Sequence, residues 1–335
     1  MKTQAKYRSA GIRGGTVLIF LVTFLLPWTS VMAVNPDSPG CGAIIQDLPG
    51  YLSGTGVALD AAPDRPFIVT RQIPHDSEAF TQGLVFYSGY LYESTGLQGH
   101  SSVRKIDLTS GRVVAMKPVR ATLFGEGLTE LNDRFLQLTW HSETALSYDA
   151  DLNLNDSVKY EGDAWGLTTN MKGRLIVSDG SSTLKFLDAE TFRLINTLKV
   201  NDHGRQVGGL NELEYIDKWI YANVFPTDCI AEIDPVSGTI TSWINLYGLL
   251  PWSQRKGHSA VANGIAYDAN SGKLFVTGKY WPFIFWLKLM ETKEKSNSER
   301  FFSKPLVHGQ LKSFDKPTIH AVFPLTMPKS RHENF

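Results

Sequence analysis

The sequence predicts an all-β fold, a five-bladed β-propeller, from three observations. A short block that leads into a Leu or Ile strand start occurs five times along the 335-residue chain. Two further strand-like runs follow each block, and the repeats are about 40–50 residues apart, the length of a four-stranded blade. Short apolar runs separated by 29 glycines are also typical of all-β chains. The five blocks are Gln82-Gly83-Leu84, Glu126-Gly127-Leu128, Trp165-Gly166-Leu167, Asn211-Glu212-Leu213 and Asn263-Gly264-Ile265.

The residue that opens each block differs from one repeat to the next. Because a propeller arranges equivalent positions of its blades around one central channel, these five side chains are expected to face one another. A repeated position whose members have diverged chemically indicates a functional site. The five residues at this position are Gln82, Glu126, Trp165, Asn211 and Asn263.

The later strands of each repeat follow from short apolar runs between turn residues. The second strands are predicted at Leu91–Thr95, Phe135–Thr139, Leu175–Asp179, Ile220–Val224 and Leu274–Gly278. The third strands are predicted at Val103–Leu108, Ala145–Tyr148, Thr183–Leu187, Cys229–Ile233 and Phe283–Leu287. The fifth repeat lacks a clear fourth strand. We therefore expect Phe67–Gln72 to complete the last blade and close the ring.

Four segments are predicted along the chain. Residues 1–33 have the pattern of a signal peptide, with basic residues before the apolar run Thr16–Trp28 and small residues up to Ala33. Export to the periplasm or the outside of the cell is expected, with an uncleaved membrane anchor as the alternative. Residues 34–66 are predicted as a linker, residues 67–290 as the propeller, and residues 291–335 as a partly disordered C-terminal extension.

Charge and cysteine content limit the partners and the chemistry. The formal net charge is zero and no basic cluster is visible, so nucleic acid is not expected as a partner. We expect a monomer. Cys41 and Cys229 could pair in an oxidising compartment, but the spacing leaves both the paired and the free state open.

An Asp follows the third strand in four repeats, which is typical of Asx turns rather than metal ligation; these are Asp107, Asp149, Asp188 and Asp234.

Glu126 is the candidate for proton transfer. It lies between two glycines at the start of a channel-facing strand, with Phe124 and Trp140 close by and no Lys or Arg near it in sequence. An apolar environment raises the pKa of a carboxyl group and makes it suitable for general acid–base chemistry near neutral pH. A hydrogen-bonded structural role is the alternative for this residue.

Amide side chains open three of the other blocks. The side chains of Gln82, Asn211 and Asn263 can hold an amine or polarise a carbonyl group, or they can bridge neighbouring blades. Trp165 offers an apolar wall with one N–H donor, or ordinary packing between blades. The eight histidines are scattered without metal-ligand spacing, so no zinc site is predicted.

Several ordered motifs resemble the plant/bacterial-type glutaminyl-peptide cyclotransferases over roughly residues 67–288. The motifs are Phe80-Thr81-Gln82-Gly83-Leu84, Phe124-Gly125-Glu126-Gly127-Leu128, Leu138-Thr139-Trp140, Trp165-Gly166-Leu167-Thr168-Thr169, Ser178-Asp179-Gly180-Ser181-Ser182, Leu210-Asn211-Glu212-Leu213-Glu214-Tyr215 and Thr277-Gly278-Lys279-Tyr280-Trp281-Pro282. The resemblance implies a five-bladed propeller that converts the N-terminal glutamine of peptides or proteins to pyroglutamate and releases ammonia. It also implies a mechanism without a metal or another cofactor.

The resemblance assigns roles to particular residues. Glu126 matches the family's catalytic acid/base. The residues that match its substrate pocket are Phe80, Gln82, Phe124, Trp140, Trp165, Asn211 and Lys279. One departure is visible, since this chain has Phe225 in a stretch where the family commonly has Trp. Phe225 would keep an aromatic wall but lose the indole N–H.

Two other function classes fit a propeller. The first is a non-catalytic propeller that binds peptides or envelope components. The second is a metal-dependent lactonase, which needs several oxygen ligands in the channel. The sequence argues against the lactonase because Glu126 is expected to be the single carboxylate there.

Overall fold

The computed structural model describes residues 39–46, 52–53, 61–170 and 172–290. In this part of the chain the strands form five four-stranded antiparallel sheets and one small three-stranded sheet. The inner strands of the four-stranded sheets contact one another in chain order, and the fifth contacts the first. The predicted five-bladed β-propeller is therefore confirmed.

Blades 1 to 3 each use four consecutive strands, ordered from the channel outward. Blade 1 contains Thr81–Tyr87, Tyr90–Thr95, Ser102–Asp107 and Val113–Pro118. Blade 2 contains Gly125–Leu131, Arg134–Thr139, Thr144–Tyr148 and Leu154–Lys159. Blade 3 contains Leu167–Thr169, Leu175–Val177, Thr183–Leu187 and Leu194–Lys199. Inner strands have neighbouring blades on both faces and are mostly buried, whereas these outer strands are largely exposed.

Blade 4 repeats this order, and blade 5 takes its outer strand from the start of the propeller. Blade 4 contains Leu210–Ile216, Trp219–Val224, Cys229–Ile233 and Ile240–Asn245. Blade 5 contains Ala262–Asp268, Lys273–Gly278, Phe283–Leu289 and, as its outer strand, Phe67–Pro74. The pairing of Phe67–Pro74 with Phe283–Leu289 confirms the predicted closure of the ring. Since the two ends of the propeller pair with each other, the blade has no missing strand.

Part of the predicted linker is docked on blade 4. Cys41–Gln46 forms a short α-helix, and Cys41 forms a disulfide with Cys229, with 5.8 Å between their Cα atoms. The Asp64 carboxylate accepts hydrogen bonds from the Cys41 backbone N–H (3.2 Å) and from Asn245 Nδ2 (3.1 Å). Cys41, Ile45 and Ala62 are also buried in a hydrophobic cluster with residues of blades 3 and 4. The segment is thus held by one covalent bond, by polar contacts and by a few apolar side chains, which are too few to give a period in the sequence.

Besides the helix Cys41–Gln46, a small sheet and one helical turn lie outside the blades. The small sheet contains Leu52–Ser53, Asn201–Asp202 and Arg205–Val207. Trp252–Gln254 forms a single 3₁₀ turn between blades 4 and 5. No helix among the residues described above is long and apolar enough to cross a membrane. The predicted signal peptide, residues 1–33, and the predicted extension, residues 291–335, lie outside the described residues.

The aspartates that follow the third strands form turns, as predicted. Asp107 Oδ1 accepts the backbone N–H groups of Thr109 and Ser110 at 3.1 and 2.8 Å. The other three aspartates of this set also accept backbone N–H groups from residues two to four positions later. Their carboxylates therefore serve the local turns.

Candidate active site

The residues that open the blocks lie where the inner strands are irregular. In blades 1, 2, 4 and 5 the pairing between the inner and second strands shifts register at the block. In blade 3 the inner strand begins only at Leu167, the last residue of the block. A bulge leaves a residue out of regular pairing and redirects its side chain. The five divergent residues thus share one structural position, at the same end of every blade.

The glycine after the divergent residue allows the next blade to come very close. A Cβ atom on Gly127 would lie 2.5 Å from the backbone nitrogen of Leu167 in blade 3. A Cβ atom on Gly166 would lie 2.0 Å from the backbone oxygen of Asn211 in blade 4. Any larger residue at these positions would push neighbouring blades apart. The glycines therefore keep the inner strands in direct contact around the site.

Five aromatic rings and one ammonium group form a continuous line of contacts at the site, with members from all five blades. Neighbouring members are 5.5, 6.2, 4.7, 5.0 and 6.4 Å apart, between ring centroids or from Lys279 Nζ, in the order Trp140, Phe124, Phe80, Lys279, Phe225 and Trp165. Each member lies just before an inner strand or just after a second strand. All six are residues that the sequence placed at the site, so the fold brings them together. We call this set of six residues the aromatic cluster.

Glu126 is buried within this site, with 4 % of its surface exposed. Its Oε2 atom is buried and has no hydrogen-bond partner among the described residues. Burial raises the pKa of Glu126 well above its usual value. The positive charge of Lys279 and a hydrogen bond from the Gln82 side chain act in the opposite direction, and the charge of Asp163 adds to the rise. The carboxyl group is therefore suited to exchange a proton near neutral pH.

Lys279 is the cationic partner of Glu126 and comes from blade 5. Its side chain lies over the rings of Phe80 and Phe225 and is almost fully buried. Burial lowers the pKa of Lys279 to about 8, while the nearby Glu126 carboxylate acts to raise it. A buried carboxyl group and a buried amine with pKa values shifted toward each other can share protons with a bound substrate.

Amide groups line the rest of the site. Asn263 Nδ2 donates hydrogen bonds to Gln82 Oε1 at 3.0 Å and to the Thr81 carbonyl oxygen at 2.9 Å. Asn211 belongs to the inner strand of blade 4, and its Oδ1 atom is buried without a partner in the described part of the chain. Asn263 Oδ1 and Glu126 Oε2 are in the same state, so the site contains three buried acceptor oxygens that have no donor among the described residues.

Sequence reasoning missed Asp163. Its Oδ2 atom accepts a hydrogen bond from Trp140 Nε1 at 3.3 Å, and its charge acts on Glu126. The His141 ring stacks on Trp140 at 4.0 Å, and His141 Nδ1 lies 3.8 Å from Asp163 Oδ1. Asp163 precedes Trp165 by two residues in an irregular stretch, where no motif identifies it. Only the folded chain shows that it supports one wall of the site.

The expectation of a single channel carboxylate is wrong. Glu212 is fully buried, and its two oxygens accept the backbone N–H groups of Leu84 at 3.2 Å and Ile265 at 2.8 Å. It occupies the position that is glycine in the other four blocks, and its side chain reaches from blade 4 to blades 1 and 5. The argument from carboxylate number against a lactonase therefore fails. Within residues 39–46, 61–170 and 172–290, no group of three or more His, Cys, Asp or Glu side chains could hold a metal ion.

Comparisons with known proteins agree with the site. Residues 48–289 match the family model described as glutamine cyclotransferase. The chain is 44% identical over 256 residues to a glutaminyl-peptide cyclotransferase of Arabidopsis thaliana, covering 74% of this chain and 79% of the relative. The crystal structure of Myxococcus xanthus glutaminyl cyclase superposes with a TM-score of 0.63 at 36% identity, covering 67% of this chain and 96% of that chain. This chain therefore belongs to the glutamine cyclotransferase family.

Proposed function

We propose that this protein converts N-terminal glutamine of peptides or proteins to pyroglutamate and releases ammonia, with Glu126 as the general acid/base. The observation that carries the proposal is the buried Glu126 Oε2 atom, which lacks a partner among the described residues within a site ringed by aromatic side chains and Lys279. Leaving a carboxylate oxygen buried and unpaired costs stability. A substrate N–H group would fill that vacant hydrogen-bonding position.

The reaction joins two parts of one residue. The α-nitrogen of the substrate forms a bond to the side-chain carbonyl carbon, and the bond from that carbon to the amide nitrogen breaks. Ionised Glu126 accepts one proton from the attacking amine and then donates it to the departing nitrogen, which leaves as ammonia. One proton is transferred and returned, so the enzyme ends in the state in which it began. No external reagent is needed.

The other site residues bind and orient the substrate. The aromatic cluster can hold the glutamine side chain in a compact form that brings its amine and its carbonyl group close together, which reduces the entropic part of the barrier. Asn211 Oδ1 is available to accept the second N–H of the amine. Protonated Lys279 can stabilise the negative oxygen that develops when the amine attacks. Because the amine must be free, the substrate enters with its N-terminus first.

The cellular setting is also a proposal. The disulfide between Cys41 and Cys229 is typical of oxidising compartments. It supports the export that the sequence of residues 1–33 predicts. We propose that the protein works as a monomer in the periplasm or outside the cell. There it would meet peptide ends and exported proteins.

The test is ammonia release from a Gln-initiated peptide by the wild-type protein and by Glu126→Gln. We expect a loss of about 10²–10⁴ in kcat, the usual contribution of general acid–base catalysis. Glu130→Gln is the matched control, since Glu130 lies on the same inner strand as Glu126 but does not belong to the aromatic cluster. It should retain activity within about twofold of the wild type.

Two results would contradict the proposal. One is an unimpaired Glu126→Gln variant. The other is a wild-type protein that binds Gln-peptides without releasing ammonia, which would favour a non-catalytic propeller.

The same assay after exhaustive chelation tests the metal-independent mechanism that the family resemblance implies. Unchanged turnover is the expected result.

A further inference from the structure

Asn263 has a place in the site that the family motifs do not explain. Its side chain is 1 % exposed and comes from the irregular start of the inner strand of blade 5. It contacts Gln82, on the other side of the junction where the ring closes, through Nδ2 and Gln82 Oε1. Asn263 therefore binds Gln82, a residue of the site, without itself belonging to the aromatic cluster.

The amide orientation of Asn263 is fixed by its second hydrogen bond. The Thr81 carbonyl oxygen can only accept, and it lies 2.9 Å from Asn263 Nδ2. A reversed Asn263 amide would place its oxygen against both this carbonyl oxygen and Gln82 Oε1. The Asn263 side chain thus has one favourable orientation, with its donor end toward Gln82.

The backbone that carries Asn263 is also held in place. The Gly264 N–H donates to Asn223 Oδ1 at 3.0 Å, and the Ile265 N–H donates to Glu212 Oε2 at 2.8 Å. Both acceptors are buried side chains of blade 4. Asn263 is therefore positioned from one side by blade 4 and from the other by Thr81.

The orientation of Asn263 determines that of Gln82. When Gln82 Oε1 accepts from Asn263, the amide nitrogen of Gln82 is directed away from Asn263. The strand start that carries Gln82 packs directly against the strand start that carries Glu126, since a Cβ atom on Gly83 would lie 2.4 Å from the backbone nitrogen of Leu128, and the Gln82 side chain acts to lower the pKa of Glu126. We propose that Asn263 is a positioning residue that fixes the amide of Gln82, so that its N–H end faces Glu126. This inference rests on the proposed role of Glu126 as the general acid/base.

The fixed amide affects the chemistry through the ionised form of Glu126. A donated N–H stabilises the carboxylate, whereas an amide oxygen in the same place would repel it. If Gln82 loses its fixed orientation, the pKa of Glu126 rises, and the carboxylate forms only at higher pH. The acid limb of the kcat/KM profile should then move to higher pH, since this limb reports the free enzyme.

A double-mutant cycle tests this inference. The variants are Asn263→Leu, Gln82→Met and the combination of both, assayed for ammonia release across the pH range. Each single variant should shift the acid limb to higher pH and lower kcat/KM by about tenfold to a hundredfold, the size expected for one hydrogen bond to a charged group. In the Gln82→Met background, Asn263→Leu should have almost no further effect on the limb, because it acts through Gln82.

Asn245→Leu controls for the loss of a buried asparagine. Asn245 also donates two hydrogen bonds through Nδ2, to the Pro39 carbonyl oxygen and to Asp64 Oδ2, but it lies outside the site. It should lower stability without moving the acid limb. If Asn263→Leu does not fold, Asn263→Ser removes less volume, and its hydroxyl cannot replace both donated bonds. The same limb shift is expected for it.

Two outcomes would overturn the role of Asn263. Asn263→Leu, or Asn263→Ser in its place, could lower kcat/KM while the acid limb stays in place, as for a residue needed only for stability. Alternatively, the effects of the single variants on the limb could add fully in the combined variant. Failure of the proposed function is distinguishable, because Glu126→Gln would then remain active. An inactive Glu126→Gln with additive effects at Asn263 and Gln82 would count against Asn263 alone.

Discussion

Phe225 gives the sharpest test of how the pocket is built. Its phenyl ring lies between two other members of the aromatic cluster, 6.4 Å from Trp165 and 5.0 Å from Lys279 Nζ. Phe225→Ala removes the apolar surface of the phenyl group and its cation–π contact with Lys279. The loss of such a wall costs about 1–3 kcal/mol of substrate and transition-state binding. At about 1.4 kcal/mol per factor of ten, kcat/KM should fall by about fivefold to 150-fold.

The same substitution should also change the pH dependence at the alkaline end. Burial lowers the pKa of Lys279 to about 8. Removing the Phe225 ring lets water reach the ammonium group, which raises its pKa toward the usual value. Lys279 then keeps its proton to higher pH, so the alkaline limb of the profile should move upward. The titration of the substrate amine is the same for both proteins, and the difference between their profiles therefore reports the enzyme.

The assay is steady-state ammonia release from one Gln-peptide, with thermal unfolding measured in parallel. Phe86→Ala is the matched control, because Phe86 is also a partly buried ring, stacked on Phe275 at 5.7 Å at the far end of an inner strand. It should affect stability and leave kcat/KM near the wild-type value. Phe225→Trp should fold and separates two alternatives, a gain in turnover from the added N–H or a loss from crowding. A kcat/KM within about twofold for Phe225→Ala would show that Phe225 is not part of the pocket.

Three further outcomes are expected. Asp163→Asn keeps an acceptor for Trp140 but removes a negative charge that raises the pKa of Glu126, so the acid limb of kcat/KM should move to lower pH; a limb that stays in place would show that this charge does not reach Glu126. Cys41→Ser should lower the free energy of unfolding by about 2–4 kcal/mol in chemical denaturation, and a reductant should destabilise the wild type but not this variant. Deleting residues 66–73 removes the outer strand of blade 5 and should cause aggregation in size-exclusion chromatography, whereas an equally stable monomer would contradict ring closure by this strand.

The repeat made the fold predictable, because every blade carries the same local signals. A divergent residue, a glycine and a Leu or Ile strand start occur together in four of the five blocks, and each set corresponds to a blade in the structure. The closing strand Phe67–Gln72 was predictable as well, since the fifth repeat visibly lacked a partner strand. These features depend on residues close together in sequence.

The electrostatics of the site could not be predicted in this way. Glu126 has no cationic neighbour in sequence, yet Lys279 acts on its pKa because the closed propeller places blade 5 next to blade 1, and blade 1 lies next to blade 2. Family motifs identified Lys279, but no spacing rule connects it with Glu126. Asp163 carried neither a motif nor a spacing signal. Its effect depends on the path of an irregular segment between two blades.

Glu212 shows why the one exception in the repeat has a structural meaning. In blades 2 and 3 the glycine allows the neighbouring backbone to lie where a side chain would be, so the contact between inner strands is direct. Blade 4 has a glutamate at this position, and the carboxylate instead accepts backbone N–H groups from blades 1 and 5. Those N–H groups belong to Leu84 and Ile265, each two residues after an amide of the site. The exception therefore fixes the strand starts that carry Gln82 and Asn263, the two amides on which the proposed orientation of Gln82 toward Glu126 depends.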